Sequence, residues 1–281
     1  MPIVLPTSST AASTTEPRVL VILSHTKTGK TSSVLKLPKS LLIDLEDGSE
    51  FFDGTKMNLR KMSILEGKGM GSLLLETAAT IAAENKKNGF PLFDFIAIDT
   101  LTVIESIAKN KATADYKNTV QGKNFTGTDV TKELPKGAGW AFFAKACDDL
   151  INPFKGLAGK CLILLAHAKF STIERQSVEV QAGDIELTGK NRTSTLANAD
   201  SIGLLYRNKR NVNQNVMSFK TSENDLVCGS RSPHLRNKEF VFGEYDPKSD
   251  VLNVNWELIF PSINPSNKVV MQEVQQEPIP S

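Results

Sequence analysis

The stretch that decides the fold is RVLVILSHTKTGKTSSVLKL, residues 18–37. Its opening, 18–24, is a continuous run of β-branched residues and leucine, the pattern of a strand buried on both faces of a parallel sheet. Its close, TSSVLKL, reads as a short helix stopped by Pro38, whose ring cannot continue a helix. Between them, Thr28-Gly29-Lys30-Thr31 is the way a phosphate-binding loop ends.

In such a loop, consecutive backbone N–H groups surround phosphate oxygens, a lysine neutralises the β/γ charge, and a Ser or Thr hydroxyl ligates Mg²⁺. The candidate nucleotide-binding residues are Ser24, His25, Thr26, Lys27, Thr28, Gly29, Lys30, Thr31 and Ser32. Lys30 takes the charge role, Thr31 the metal role, and Gly29 allows close approach of the backbone. Ser24 stands where an opening glycine is expected, and a positive φ there would cost roughly 1–2 kcal/mol. A Gly-Lys-Thr tripeptide alone is weak, because it arises by chance; the strand before it and the helix after it strengthen it.

The second requirement is a neighbouring strand that ends in Asp, to support the metal. FDFIAIDT, residues 93–100, supplies Asp99. The competing role for Asp99-Thr100 is to cap a helix over 102–108. The residue after the metal aspartate is Thr100 rather than a carboxylate, so the group that orients water must come from another strand end. SLLIDLED, residues 40–47, offers Glu46, because neighbouring parallel strands deliver their C-terminal ends to one crevice. The plainer reading of Glu46 is a solvated acidic turn, since Asp44, Asp47 and Glu50 crowd the same segment.

The rest of the chain follows the same alternation. GSLLLETAATIAAENKKNG predicts a helix closed by Asn88-Gly89, GWAFFAKACDDLI a second helix, and KCLILLAHA, 160–168, a fourth buried strand. Residues 109–136 and about 170–198 read as polar loops. Beyond them the pattern becomes short alternating strands such as NVMSFKT and EFVFGEY. The fold class is therefore α/β, with a mostly parallel central sheet flanked by helices and extended by C-terminal antiparallel strands. One domain over 17–262 is expected, with a flexible arm over 1–16 and a polar tail over 263–281.

Composition narrows the class. The 281 residues are 40% apolar and 23% charged, with a formal net charge of +2 that by itself favours no nucleic-acid partner. Cys147, Cys161 and Cys228 form no CxxC pair, which excludes a zinc ribbon or a disulfide framework and suits a cytosolic setting. No apolar run reaches the ~18 residues that span a bilayer, and the first residues lack the features of a secretory signal.

In these stretches, together with PKGAGWAFFAKACDDLI and CLILLAHAKF, the chain resembles the RecA/RadA-like recombinase superfamily over about residues 18–260. Within it the closer likeness is to the phage RecA-like P-loop ATPases that promote single-strand annealing. The resemblance implies Mg²⁺ and ATP as cofactors, held at the phosphate loop between protomers of a filament or ring. It implies Glu46 as the water-activating group and His167 as a γ-phosphate sensor. A histidine merely satisfied at a strand end is the alternative for His167. Arg231, in VCGSRSPHLRNKEF, would reach a neighbour's γ-phosphate as an arginine finger, against the alternative of an exposed structural arginine.

Single-stranded DNA and phage replication or recombination proteins are the implied partners, in a host cytoplasm if the protein is phage-encoded. Loop 109–136 carries Lys109, Lys111, Lys117, Lys123, Lys132 and Lys136 with Tyr116 and Phe125 among them, a combination that serves sequence-tolerant strand binding. A solvated, lysine-bearing loop explains it equally well. Two other functions stay open: an accessory ATPase that acts on a protein partner, and a nucleotide-binding module that does not hydrolyse. Lys30, Thr31, Asp99 and Glu46 occurring together speak against the last.

Overall fold

A computed structural model describes residues 14–175, 178–188, 195–221 and 228–264, without the side chains of 170–183. Most of the arm and most of the tail expected from the sequence lie outside the described residues.

Eleven strands are found among the described residues: β1 Val19–Ser24, β2 Ser40–Asp44, β3 Lys56–Asn58, β4 Phe95–Asp99, β5 Cys161–Arg175, β6 Val178–Ile185, β7 Ser201–Arg207, β8 Gln214–Ser218, β9 Gly229–Ser230, β10 Glu239–Asp246 and β11 Val251–Val254. They form one sheet in the order β11-β10-β8-β7-β1-β5-β4-β2-β3, with β6 added to β5 and β9 to β7. From β3 to β7 neighbours run parallel, and from β7 to β11 antiparallel. This is the predicted α/β class.

Helices among the described residues include α1 Lys30–Leu35, α2 Leu59–Glu66, α3 Met70–Asn88, α4 Leu101–Lys117, α5 Val130–Glu133 and α6 Gly139–Ile151. In β1, Val21 and Leu23 join a core with α3, α4 and α6, whereas Leu20 and Ile22 join one with α1, Trp256 and Phe260. Side chains alternate across a strand, so burial on both faces demands the unbroken apolar run seen at 19–23. Trp256 Nε1 donates to Ser33 O at 2.8 Å, fastening α1 to the C-terminal end of the chain.

Three departures from the sequence reading have physical causes. β2 ends at Asp44, because its buried carboxylate accepts the N–H groups of Glu46, Asp47 and Ser49 at 2.8–2.9 Å and bends the chain into a turn. The loop expected over 109–136 begins as helix: α4 runs on to Lys117, with Ile104, Ile107, Ala108, Ala112 and Thr113 buried at helical spacing. Alanine and threonine gave that face too weak an apolar signal to be seen. The polar segment after 170 is a hairpin, β5 continuing to Arg175 and pairing antiparallel with β6.

Candidate functional site

Parallel strands place their C-terminal ends at one edge of the sheet, and that edge carries the candidate chemistry. β1 closes with Ser24, which pairs with His167 of β5, while Asp44 of β2 pairs with Asp99 of β4. The segment 25–29 then turns over the end of β1 into α1.

Ser24 is fully buried in extended strand, and its Oγ donates to His25 O at 2.7 Å. The residues with positive φ are instead Lys27 (60°) and Gly29 (100°). The strain weighed at Ser24 therefore does not arise, and the left-handed turn falls on Gly29, which tolerates it.

Lys30 is buried, and its Nζ lies 3.3 Å from Ser24 O and 3.4 Å from His167 Nδ1. Burial lowers its pKa, and the charges of Asp99 and Glu46 oppose that shift. Thr31 Oγ1 donates to Asp99 Oδ2 at 2.6 Å, and the N-cap position of α4 is Thr100, which makes no side-chain capping bond, so Asp99 does not cap that helix. Asp99 is only 3% exposed, and burial pushes its carboxyl up to about 6. A hydroxyl beside a buried carboxylate is the hard-oxygen donor set that suits Mg²⁺, and a cation there would hold Asp99 ionised.

Glu46 stands just past β2. Its Oε1 accepts from Thr100 Oγ1 at 2.7 Å and lies 3.2 Å from His167 Nε2. The hydrogen bond from His167, then that from Thr100, hold its carboxyl below the usual range despite partial burial. The neighbouring acids are committed elsewhere: Asp47 to Asn58 and Glu50 to Lys61. Glu46 is thus the acidic side chain of that turn directed to the phosphate loop.

These groups line a cavity of about 940 Å³. Sequence reasoning missed part of its wall, namely Phe51 and Phe52 on the Glu46 side and Arg207, Asn215, Tyr245 and Leu252 on the antiparallel side. No local motif marks the latter group, which reaches the loop only through the pairing of β7, β8, β10 and β11. Thr100 was legible as the residue after Asp99, although its bond to Glu46 was not.

Two expected features lie elsewhere. Arg231 bonds Asp200 Oδ1 (3.5 Å) and Ala197 O (3.0 Å), and Asp200 Oδ2 accepts the N–H of Val19 at the start of β1. Arg231 is therefore at the opposite end of the sheet from its own phosphate loop. Tyr116 and Phe125 are not presented for base stacking: their rings pack edge-on at 5.3 Å, and Tyr116 meets Phe142 at 5.2 Å against the core. Lys111 is paired with Asp115 and Asp149.

Residues 16–228, which include the phosphate loop, Glu46, Asp99, Thr100, His167 and Asn215 but not Tyr245 or Leu252, match the family model described as an AAA domain. The chain belongs to that family. A solved structure described as "Crystal structure of the RadB recombinase" is similar over 82% of this chain and 89% of that one, at 12% identity and a TM-score of 0.37. A likeness that low settles nothing about function. No curated protein matches the chain. In this AAA domain, no helix among the described residues is long and apolar enough to cross a membrane.

Proposed function

We propose that this AAA domain is a RecA-like, Mg²⁺-dependent ATPase. The supporting observation is convergence: Lys30 and Thr31 at the start of α1, Glu46 just past β2, Asp99 at the end of β4 and His167 within β5 line one cavity, and Thr100 bonds Glu46 beside it. A non-hydrolysing module needs only the loop. The group around Glu46 has a further use, because an ionised carboxylate fixed in place by two hydrogen-bond donors can orient an attacking water and take up its proton as the bond to phosphorus forms.

Lys30 balances the charge of the terminal phosphates. Thr31 and Asp99 would hold Mg²⁺, which when bound neutralises charge on the β- and γ-phosphate oxygens. Glu46 orients and deprotonates the attacking water. His167 touches both Lys30 and Glu46, so it senses the phosphate that Lys30 contacts and positions the base.

In its finer form, the reading places this ATPase in DNA recombination or single-strand annealing within a phage, as a homo-oligomer with nucleotide between protomers. The order of motifs along the chain supports this. In such an assembly, Arg231 would act on a neighbouring copy. An accessory ATPase acting on a protein partner is the second reading, favoured by the inward packing of Tyr116 and Phe125. ATP turnover measured with and without single-stranded DNA separates the two. Stimulation supports the recombination reading, unchanged turnover supports the accessory reading, and a Lys30→Ala protein with full turnover removes both.

A further inference from the structure

Four carbonyls of the phosphate loop have a hydrogen-bond donor among the described residues, and three of them are held from within the loop or α1. Ser24 O accepts from Lys30 Nζ at 3.3 Å, and His25 O from Ser24 Oγ at 2.7 Å and Thr28 Oγ1 at 2.9 Å. Gly29 O accepts from Ser33 N at 2.9 Å and Ser32 Oγ at 3.1 Å. Every one of these donors lies in the loop or in α1. Thr28 O instead accepts at 3.1 Å from Nδ2 of Asn215, 187 positions away in β8.

That bond sets the direction of a peptide. The Thr28–Gly29 bond is trans, so its C=O and N–H point opposite ways. Drawing Thr28 O toward Asn215 therefore turns the Gly29 N–H the opposite way, away from Asn215. A loop that binds phosphate through N–H groups needs its carbonyls turned out and its amides turned in.

The surroundings of Asn215 favour this use over a role in stability. The side chain is 3% exposed, yet its Oδ1 has no hydrogen-bond partner among the described residues, an arrangement that lowers stability. Only the donor half of the carboxamide is engaged. A glycine makes room for it: a Cβ at Gly29 would stand 3.1 Å from Asn215 Nδ2. Gly243 lies at a register shift in the β8–β10 pairing, next to Asn215.

We infer that Asn215 is a positioning residue for the phosphate loop, fixing the Thr28–Gly29 peptide so that the Gly29 N–H is presented to a bound polyphosphate. The antiparallel extension of the sheet thereby acts on the loop at the end of β1. This rests on the nucleotide reading above.

The test uses the full chain and two probes, ATP and inorganic tripolyphosphate, titrated calorimetrically against wild type, Asn215→Leu and Lys30→Ala. Leucine keeps the branched heavy-atom skeleton of asparagine and lacks the donor. Asn215→Leu should weaken both probes by the same factor, about tenfold, with KM for ATP rising more than kcat falls. Amide exchange over residues 25–33 should also quicken without any fall in the thermal midpoint large enough to signal unfolding.

A folded Asn215→Leu protein that binds both probes as wild type does overturns the inference. So does one that loses ATP but keeps tripolyphosphate, since that assigns Asn215 to the nucleoside. If Asn215→Leu does not fold, Asn215→Ala is judged by the same outcomes. Wild type that binds neither probe, or Lys30→Ala that binds both normally, overturns the nucleotide reading itself and the inference with it.

Discussion

His167 stands between Lys30 and Glu46: its Nδ1 is 3.4 Å from Lys30 Nζ and its Nε2 3.2 Å from Glu46 Oε1. One imidazole thus joins the residue proposed to meet phosphate to the residue proposed to activate water. Replacing it with alanine should leave ATP binding within about threefold of wild type while kcat falls about 10- to 100-fold. Steady-state kinetics alongside direct ATP titration would show it. A rise in KM with kcat unchanged would make His167 a binding residue only.

The proposed mechanism gives the carboxylate the larger role. Glu46→Gln keeps its shape and its bond with Thr100 but removes the base, so ATP should still bind while turnover drops about 10²- to 10⁴-fold. Thr100→Val, which deletes the hydroxyl that donates to Glu46 at 2.7 Å, should lower kcat by less, about 3- to 10-fold. Unchanged turnover in Glu46→Gln would end its assignment as base.

Asp99 carries a stability cost that depends on pH. Its folded-state pKa, about 6, is above the unfolded value of 3.8, because burial disfavours the charged form. Between these values the folded state binds more protons than the unfolded state, so stability falls as pH rises through this window and stays lower above it. The shift corresponds to about 3 kcal/mol at most. In chelator at pH 7.5, Asp99→Asn should therefore unfold at a higher temperature than wild type, and the gap should narrow toward pH 4. Mg²⁺ with ATP should stabilise wild type and not the variant. A variant less stable than wild type at both pH values would contradict this account.

Tyr116 and Phe125 are packing residues in this fold. Phe125→Ala should destabilise the domain by about 2 kcal/mol through lost edge-on ring contact and apolar burial. Denaturant melts would register that loss. Any affinity for single-stranded DNA, measured on the still-folded protein, should be unchanged. A selective loss of DNA binding at full stability would return these rings to a stacking role.

Part of this was readable one residue at a time. The run at 18–24 announced a doubly buried strand, Gly-Lys-Thr announced a phosphate loop, and the strands ending near Asp99 and Glu46 announced the crevice, because local periodicity and residue chemistry carry those signals. Helix α4 beyond Ala108 and the β5–β6 hairpin escaped because alanine, threonine and polar residues write a faint pattern.

By itself, then, the sequence determined the α/β class, the phosphate loop and the kinds of side chain available to it. Only the tertiary structure decided which of them meet. It put the left-handed turn on Lys27 and Gly29 rather than on Ser24, drew Thr100 and His167 onto Glu46, and moved Arg231 to the far end of the sheet. It also brought Asn215 onto the loop across 187 positions. The physical reason is that strand order and register are collective outcomes of packing, and distances between strand ends follow from them rather than from any residue's neighbours in the chain.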